Sequence, residues 1–132
     1  MMEKAKILIV DDDPDITEAM KIVLENHDYV VNSVEGIEQA MESLKAERPN
    51  LIILDVMMKT PQDGFILSRQ LKDDDNYKDI PILMLTAVQE KTGLDFAPAA
   101  GDETWLPVDE FMDKPVKPDM LLKKVETLLK KA

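Results

Sequence analysis

Ile7-Leu8-Ile9-Val10-Asp11-Asp12-Asp13-Pro14-Asp15-Ile16 joins a short apolar run to an acidic turn and a proline that opens an amphipathic stretch. Three further runs end in the same way: Leu51 to Leu54 stops at Asp55, Ile82 to Leu85 stops at Thr86, and Phe111-Met112 lies just before Lys114. In an open parallel α/β sheet, ligands bind in the crevice outside the carboxyl ends of the strands. Four strands with these endings would bring three carboxylates, a hydroxyl and an ammonium into one pocket.

The segments between the runs read as helices. Ile16, Ala19, Met20, Val23 and Leu24 fall on one helical face, with Asp13 as N-cap and Pro14 at the first helical position. Tyr29 to Val31 reads as a short strand. Ile37, Ala40, Met41 and Leu44 mark a second helix ended by Pro49, and Leu67 and Leu71 mark a third from about Gly64 to Lys72. Val108 to Met112 is the last strand, and Leu121, Leu122, Val125, Leu128 and Leu129 form the closing helix, entered through Pro118. Three nearly continuous apolar strands flanked by two less apolar ones predict a parallel sheet covered on both faces, with the second and last strands at its edges. The stretch Gln89 to Pro107 contains Gly93, Pro98, Gly101 and Pro107 and keeps neither period, so the fourth helix region is expected to be irregular or shortened.

Composition bounds the function. The 132 residues suit a single domain over 1–132 with a core of its own. With no cysteine there is neither a thiol nucleophile nor a thiolate metal site, and the one histidine, His27, reads as an exposed residue near the end of the first helix. The formal net charge of -11 argues against direct binding to nucleic acid phosphates. No apolar run approaches the ~20 residues that span a bilayer, which excludes membrane insertion and makes a soluble cytoplasmic protein the default. Asp73-Asp74-Asp75 reads as a solvated turn.

Asp11, Asp12 and Asp55 brought close together would repel one another unless a cation neutralised them. Oxygen donors of this kind suit Mg²⁺, with Mn²⁺ as a substitute. Once the metal and Lys114 draw charge off a phosphoryl group, Asp55 can act as a nucleophile and form an aspartyl phosphate, and Thr86 can donate to a phosphoryl oxygen.

These residues resemble the receiver domain of bacterial two-component response regulators. The segments that carry the likeness are Ile7 to Ile16, Leu51-Ile52-Ile53-Leu54-Asp55-Val56-Met57-Met58, Leu85-Thr86-Ala87 and Asp113-Lys114-Pro115. The resemblance implies a flavodoxin-like, doubly wound α/β fold with a five-stranded parallel sheet of order 2-1-3-4-5. It implies Asp55 as phosphoacceptor, with Mg²⁺ held by Asp12, Asp55 and the backbone carbonyl of Met57, and Asp11 acting through bound water. Thr86 and Lys114 would contact the phosphoryl group, and Thr86 and Phe111 would serve as switch residues, although Phe111 also reads as simple core packing. The implied donors are a histidine kinase or a histidine phosphotransfer protein, and the output is a downstream protein target. Met57 and Val88 would flank the path of attacking water, which implies slow autodephosphorylation.

Two features depart from the family pattern. The loop between Asp55 and Gly64 is one residue longer than the common receiver loop, and the span from Thr86 to Lys114 is several residues longer than usual, with Phe96, Trp105 and Leu106 among its helix breakers. Within it, Gln89 to Pro107 is expected to serve as a specialised partner or switch surface, the alternative being that Trp105 simply pins the loop to the core. Two other readings stay open. Asp11 and Asp13 have the spacing of the haloacid-dehalogenase-like phosphatases, although little chain follows Lys114 for that family's downstream motif, and a receiver-like interaction module without phosphorylation is the other.

Overall fold

The computed structural model describes residues 4–55, 63–86, 109–113 and 116–131. The strands are β1 (Lys6–Val10), β2 (Val30–Val34), β3 (Leu51–Asp55), β4 (Ile82–Thr86) and β5 (Glu110–Asp113); the helices are α1 (Pro14–Glu25), α2 (Ile37–Ala46), α3 (Asp63–Lys72) and α4 (Pro118–Lys131). All strand pairings are parallel, as the apolar patterning predicted, and the order is β2-β1-β3-β4-β5, as the receiver resemblance implied. The span 89–107 expected to be irregular lies outside the described residues.

Alternation along each central strand divides the core in two. Leu8, Val10, Ile52, Leu54, Ile82 and Met84 face one way and pack with Ala40 and Leu44 of α2 and Leu67 and Leu71 of α3. Ile7, Ile9, Ile53, Leu83 and Leu85 face the other way and pack with Met20 and Leu24 of α1 and Leu121, Val125 and Leu128 of α4. Helices therefore cover both faces, which is why the three central strands read as continuous apolar runs. Truncation of a residue such as Ile53 to alanine would cost about 2–5 kcal/mol through lost burial and the cavity left behind.

Three boundaries differ from the sequence reading. β2 runs from Val30 through Asn32 and Ser33 to Val34, not from Tyr29 to Val31, because the ladder with β1 fixes the whole segment even though polar residues are poor strand formers. As an edge strand it buries Val31 and leaves Asn32 and Ser33 in solvent. α2 ends at Ala46, before Pro49: Glu47 is already extended (φ -155°, ψ 118°) while its N–H still donates to the Ser43 carbonyl. β5 begins at Glu110, because Asp109 pairs with Ile82 through its side chain as well as its backbone. His27 is exposed as expected, with Nδ1 3.1 Å from the Val23 carbonyl. The Asp73 to Asp75 turn is largely solvated, and Asp75 reaches Lys78 at 3.3 Å.

Candidate functional site

The register of the sheet gathers the acidic residues at one end. Val10 of β1 lies opposite Leu54 of β3, so the next residues along the two strands, Asp11 and Asp55, fall side by side. The Asp11 N–H donates to the Val34 carbonyl at 3.1 Å, which carries the β1–β2 hydrogen bonding one residue past the end of the strand. Oδ1 of Asp11 in turn accepts the N–H of Asp13 at 2.9 Å. The Asp11 backbone and side chain are thus both fixed from within the fold.

Beyond Asp13 the chain turns directly into α1. Asp13 is extended (φ -93°, ψ 107°), and its Oδ1 accepts the N–H groups of Asp15 at 3.0 Å and Ile16 at 3.3 Å, with Pro14 opening the helix. This is the N-cap expected from the sequence.

One carboxylate oxygen from each of Asp11, Asp12 and Asp55 lies within 4.8 Å of the others. Asp11 and Asp55 are 2% and 4% exposed, whereas Asp12 faces solvent. At an effective dielectric of about 20, two unit charges at this separation repel by about 3 kcal/mol. A bound cation offsets that repulsion, and a donor set made only of carboxylate oxygens matches a hard divalent ion of the Mg²⁺ or Mn²⁺ kind. The exposed Asp12 leaves the cation an open side, where water and a phosphoryl oxygen could complete its shell.

The other expected site residues are placed by the backbone. Thr86 ends β4, one residue beyond Leu85, which lies opposite Asp55; its own partner is Asp113, the last residue of β5. Lys114 directly follows β5 but lies outside the described residues, as do Met57, Val88, Phe96, Trp105 and Leu106, and Thr86 is described through its backbone alone. Phe111 is half-buried and packs against the core layer of α2 and α3, so the packing role read from the sequence is present. A separate apolar groove of about 280 Å³ between α1 and α4 is lined by Ile16, Ala19, Met20, Val23, Val116 and Leu121, with Asp15 its one charged residue. Among its lining residues it offers no partner to Asp15 for phosphoryl chemistry.

Sequence reasoning missed the hydrogen bond by which Asp13 holds Asp11. The signal was present in the Asp-x-Asp spacing, since an aspartate side chain commonly accepts the N–H two residues on in a turn.

A family model for the response regulator receiver domain matches residues 7–126. The chain is 35% identical over 131 residues to the DNA-binding dual master transcriptional regulator RpaA of Synechocystis sp., an alignment covering 96% of this chain and 49% of the relative. Among solved structures, a putative response regulator from Chloroflexus aurantiacus superposes with a TM-score of 0.81 at 31% identity, covering 96% of this chain and 98% of that one. The chemotaxis response regulator CheY4 of Vibrio cholerae superposes with a TM-score of 0.80 at 28% identity, covering 95% and 98%. The chain spans about half the length of the curated relatives it matches.

Proposed function

This chain belongs to the response regulator receiver domain family, and on that premise we propose that it takes a phosphoryl group from a phosphohistidine donor onto Asp55 with Mg²⁺ and thereby switches a partner surface. The observation that supports this most strongly is the convergence of Asp11, Asp12 and Asp55 at the carboxyl ends of adjacent parallel strands. Residues 1–132 then act as one receiver domain. The donor is a histidine kinase or a histidine phosphotransfer protein, and the output passes to a downstream protein target. No described helix is long and apolar enough to cross a membrane, and the cytoplasm is the compartment of such a relay.

The Asp55 carboxylate attacks phosphorus in line with the scissile P–N bond. As the new P–O bond forms, the P–N bond breaks and its electron pair stays on the imidazole nitrogen. Asp12 and Asp55, with the Met57 backbone carbonyl, would hold Mg²⁺, and Asp11 would hold its bound water. The ion supplies charge neutralisation at the transferring phosphoryl oxygens. Lys114 and Thr86 would bind those oxygens as cation and hydroxyl donor. Hydrolysis reverses the attachment: water attacks phosphorus and the Asp55 carboxylate departs.

Asp13 bears on the phosphatase alternative. That mechanism needs the residue two beyond the nucleophile as an acid or base, but here Oδ1 of Asp13 already accepts two backbone N–H groups of α1. This favours the receiver reading. The test is phosphotransfer from a phosphorylated histidine phosphotransfer domain in the presence of Mg²⁺. Radiolabel should pass to the unaltered chain and fail to pass to Asp55→Asn; equal labelling of both would refute the assignment.

A further inference from the structure

Asp11 and Asp12 are consecutive, and consecutive side chains of an extended strand point to opposite faces. Yet their carboxylate oxygens lie within 4.8 Å of one another and of Asp55. The chain must therefore leave strand geometry at this point, and something must hold it in the departed conformation. Two of the groups that do so belong to Asp13, which contributes none of the three converging carboxylates. Its N–H donates to Asp11 Oδ1 at 2.9 Å, and its own Oδ1 accepts from the N–H groups of Asp15 and Ile16. One residue thus ties the first turn of α1 to the Asp11 carboxylate, with Asp12 between them.

We infer that Asp13 is a positioning residue for the acidic pocket: its side chain locks the turn onto α1, and the locked turn aims Asp11 and Asp12 at a shared cation. This rests on the Mg²⁺-dependent reading above. The competing role is that of a fourth negative charge that attracts the cation from nearby. The two roles part at Asp13→Asn, which keeps an oxygen acceptor for the cap and discards the charge. Asp13→Ala discards both.

Mg²⁺ alone is titrated into each variant by calorimetry, and backbone amide exchange is followed in the metal-free proteins. Asp13→Asn should bind within about twofold of the unaltered chain, because asparagine caps as well as aspartate. Asp13→Ala should bind about fivefold more weakly, the loss typical of a removed cap. Its Asp13, Asp15 and Ile16 amides should exchange faster even without metal. A cap that merely stabilised α1 would lower the unfolding midpoint of Asp13→Ala and leave its Mg²⁺ affinity untouched. That outcome, or an equal loss in both variants, overturns the inference. Failure of the unaltered chain to take up Mg²⁺ is read in its own titration; it overturns the functional reading and this inference with it.

Discussion

The Lys72 ammonium lies 3.0 Å from Oδ2 of Asp109 at the end of the sheet opposite the acidic pocket, and the same oxygen accepts the N–H of Ile82 at 2.8 Å. Lys72 also donates to the carbonyls of Lys78 and Ile80, each at 3.2 Å. The end of α3, the start of β4 and the residue before β5 therefore meet at one cation. Because Lys72 and Asp109 are both partly exposed, the ion pair itself contributes little. The hydrogen bonds to the partly buried Ile80 carbonyl and Ile82 N–H matter more. Lys72→Met and Asp109→Ala should each cost about 1–2 kcal/mol in urea unfolding, and less than that sum when combined. Strictly additive losses would show that the two residues act independently.

Tyr29, between α1 and β2, gives a dependence on alkaline pH. Burial, and secondarily the Glu126 carboxylate, hold its phenol above the ordinary value of 10.0, with Lys130 pulling the other way. The neutral phenol is thus favoured in the folded state. Its contribution to stability is full below pH 10.0 and falls as the pH rises beyond it, where the unfolded chain ionises first. Thermal midpoints from neutral pH upward should fall less steeply above that point for Tyr29→Phe than for the unaltered protein. Identical alkaline limbs would remove Tyr29 from the account.

Mg²⁺ should depend unequally on the two adjacent aspartates. Oδ1 of Asp11 is engaged by the Asp13 N–H, whereas Asp12 presents its carboxylate from the exposed side of the cluster. Asp12→Ala is expected to lose about tenfold or more in Mg²⁺ affinity, on the order of a lost charged ligand contact, and Asp11→Ala less. An Asp12→Ala titration indistinguishable from that of the unaltered chain refutes the ligand assignment.

Dephosphorylation should be slow. Met57 and Val88 stand two residues beyond Asp55 and Thr86, and neither side chain can orient a water by hydrogen bonding, although water positioning is a large part of phosphoryl hydrolysis. Met57→Asn combined with Val88→Glu should shorten the lifetime of the phosphorylated protein by up to about a hundredfold, the lower reach of a positioned acid or base group. Unchanged decay after both substitutions would show that attacking water is governed elsewhere.

Much of this was legible in the residues because burial leaves a periodic trace. The unbroken apolar run Ile7-Leu8-Ile9-Val10 correctly marks a strand covered on both faces, and the repeat from Ile16 to Leu24 marks the inner face of α1. The strand ends announced Asp11, Asp12 and Asp55, since carboxylates directly after apolar runs have little structural reason to be there. Polar edge positions left no such trace: Asn32 and Ser33 belong to β2 through backbone pairing that composition does not record. The part played by Asp109 in starting β5 was equally hidden, because it depends on Lys72, distant in sequence. The order of the strands came from the family resemblance, since apolar patterning assigns edges and centre but not neighbours. The surface expected around Trp105 lies outside the described residues.

Mapping the modified residue by mass spectrometry, after incubation with acetyl phosphate and Mg²⁺, tests the central claim most directly. The account predicts one added phosphoryl group, carried on Asp55 and abolished in Asp55→Asn. A group carried instead on Asp11, retained in Asp55→Asn and lost in Asp11→Asn, would contradict it and return the chain to the phosphatase reading.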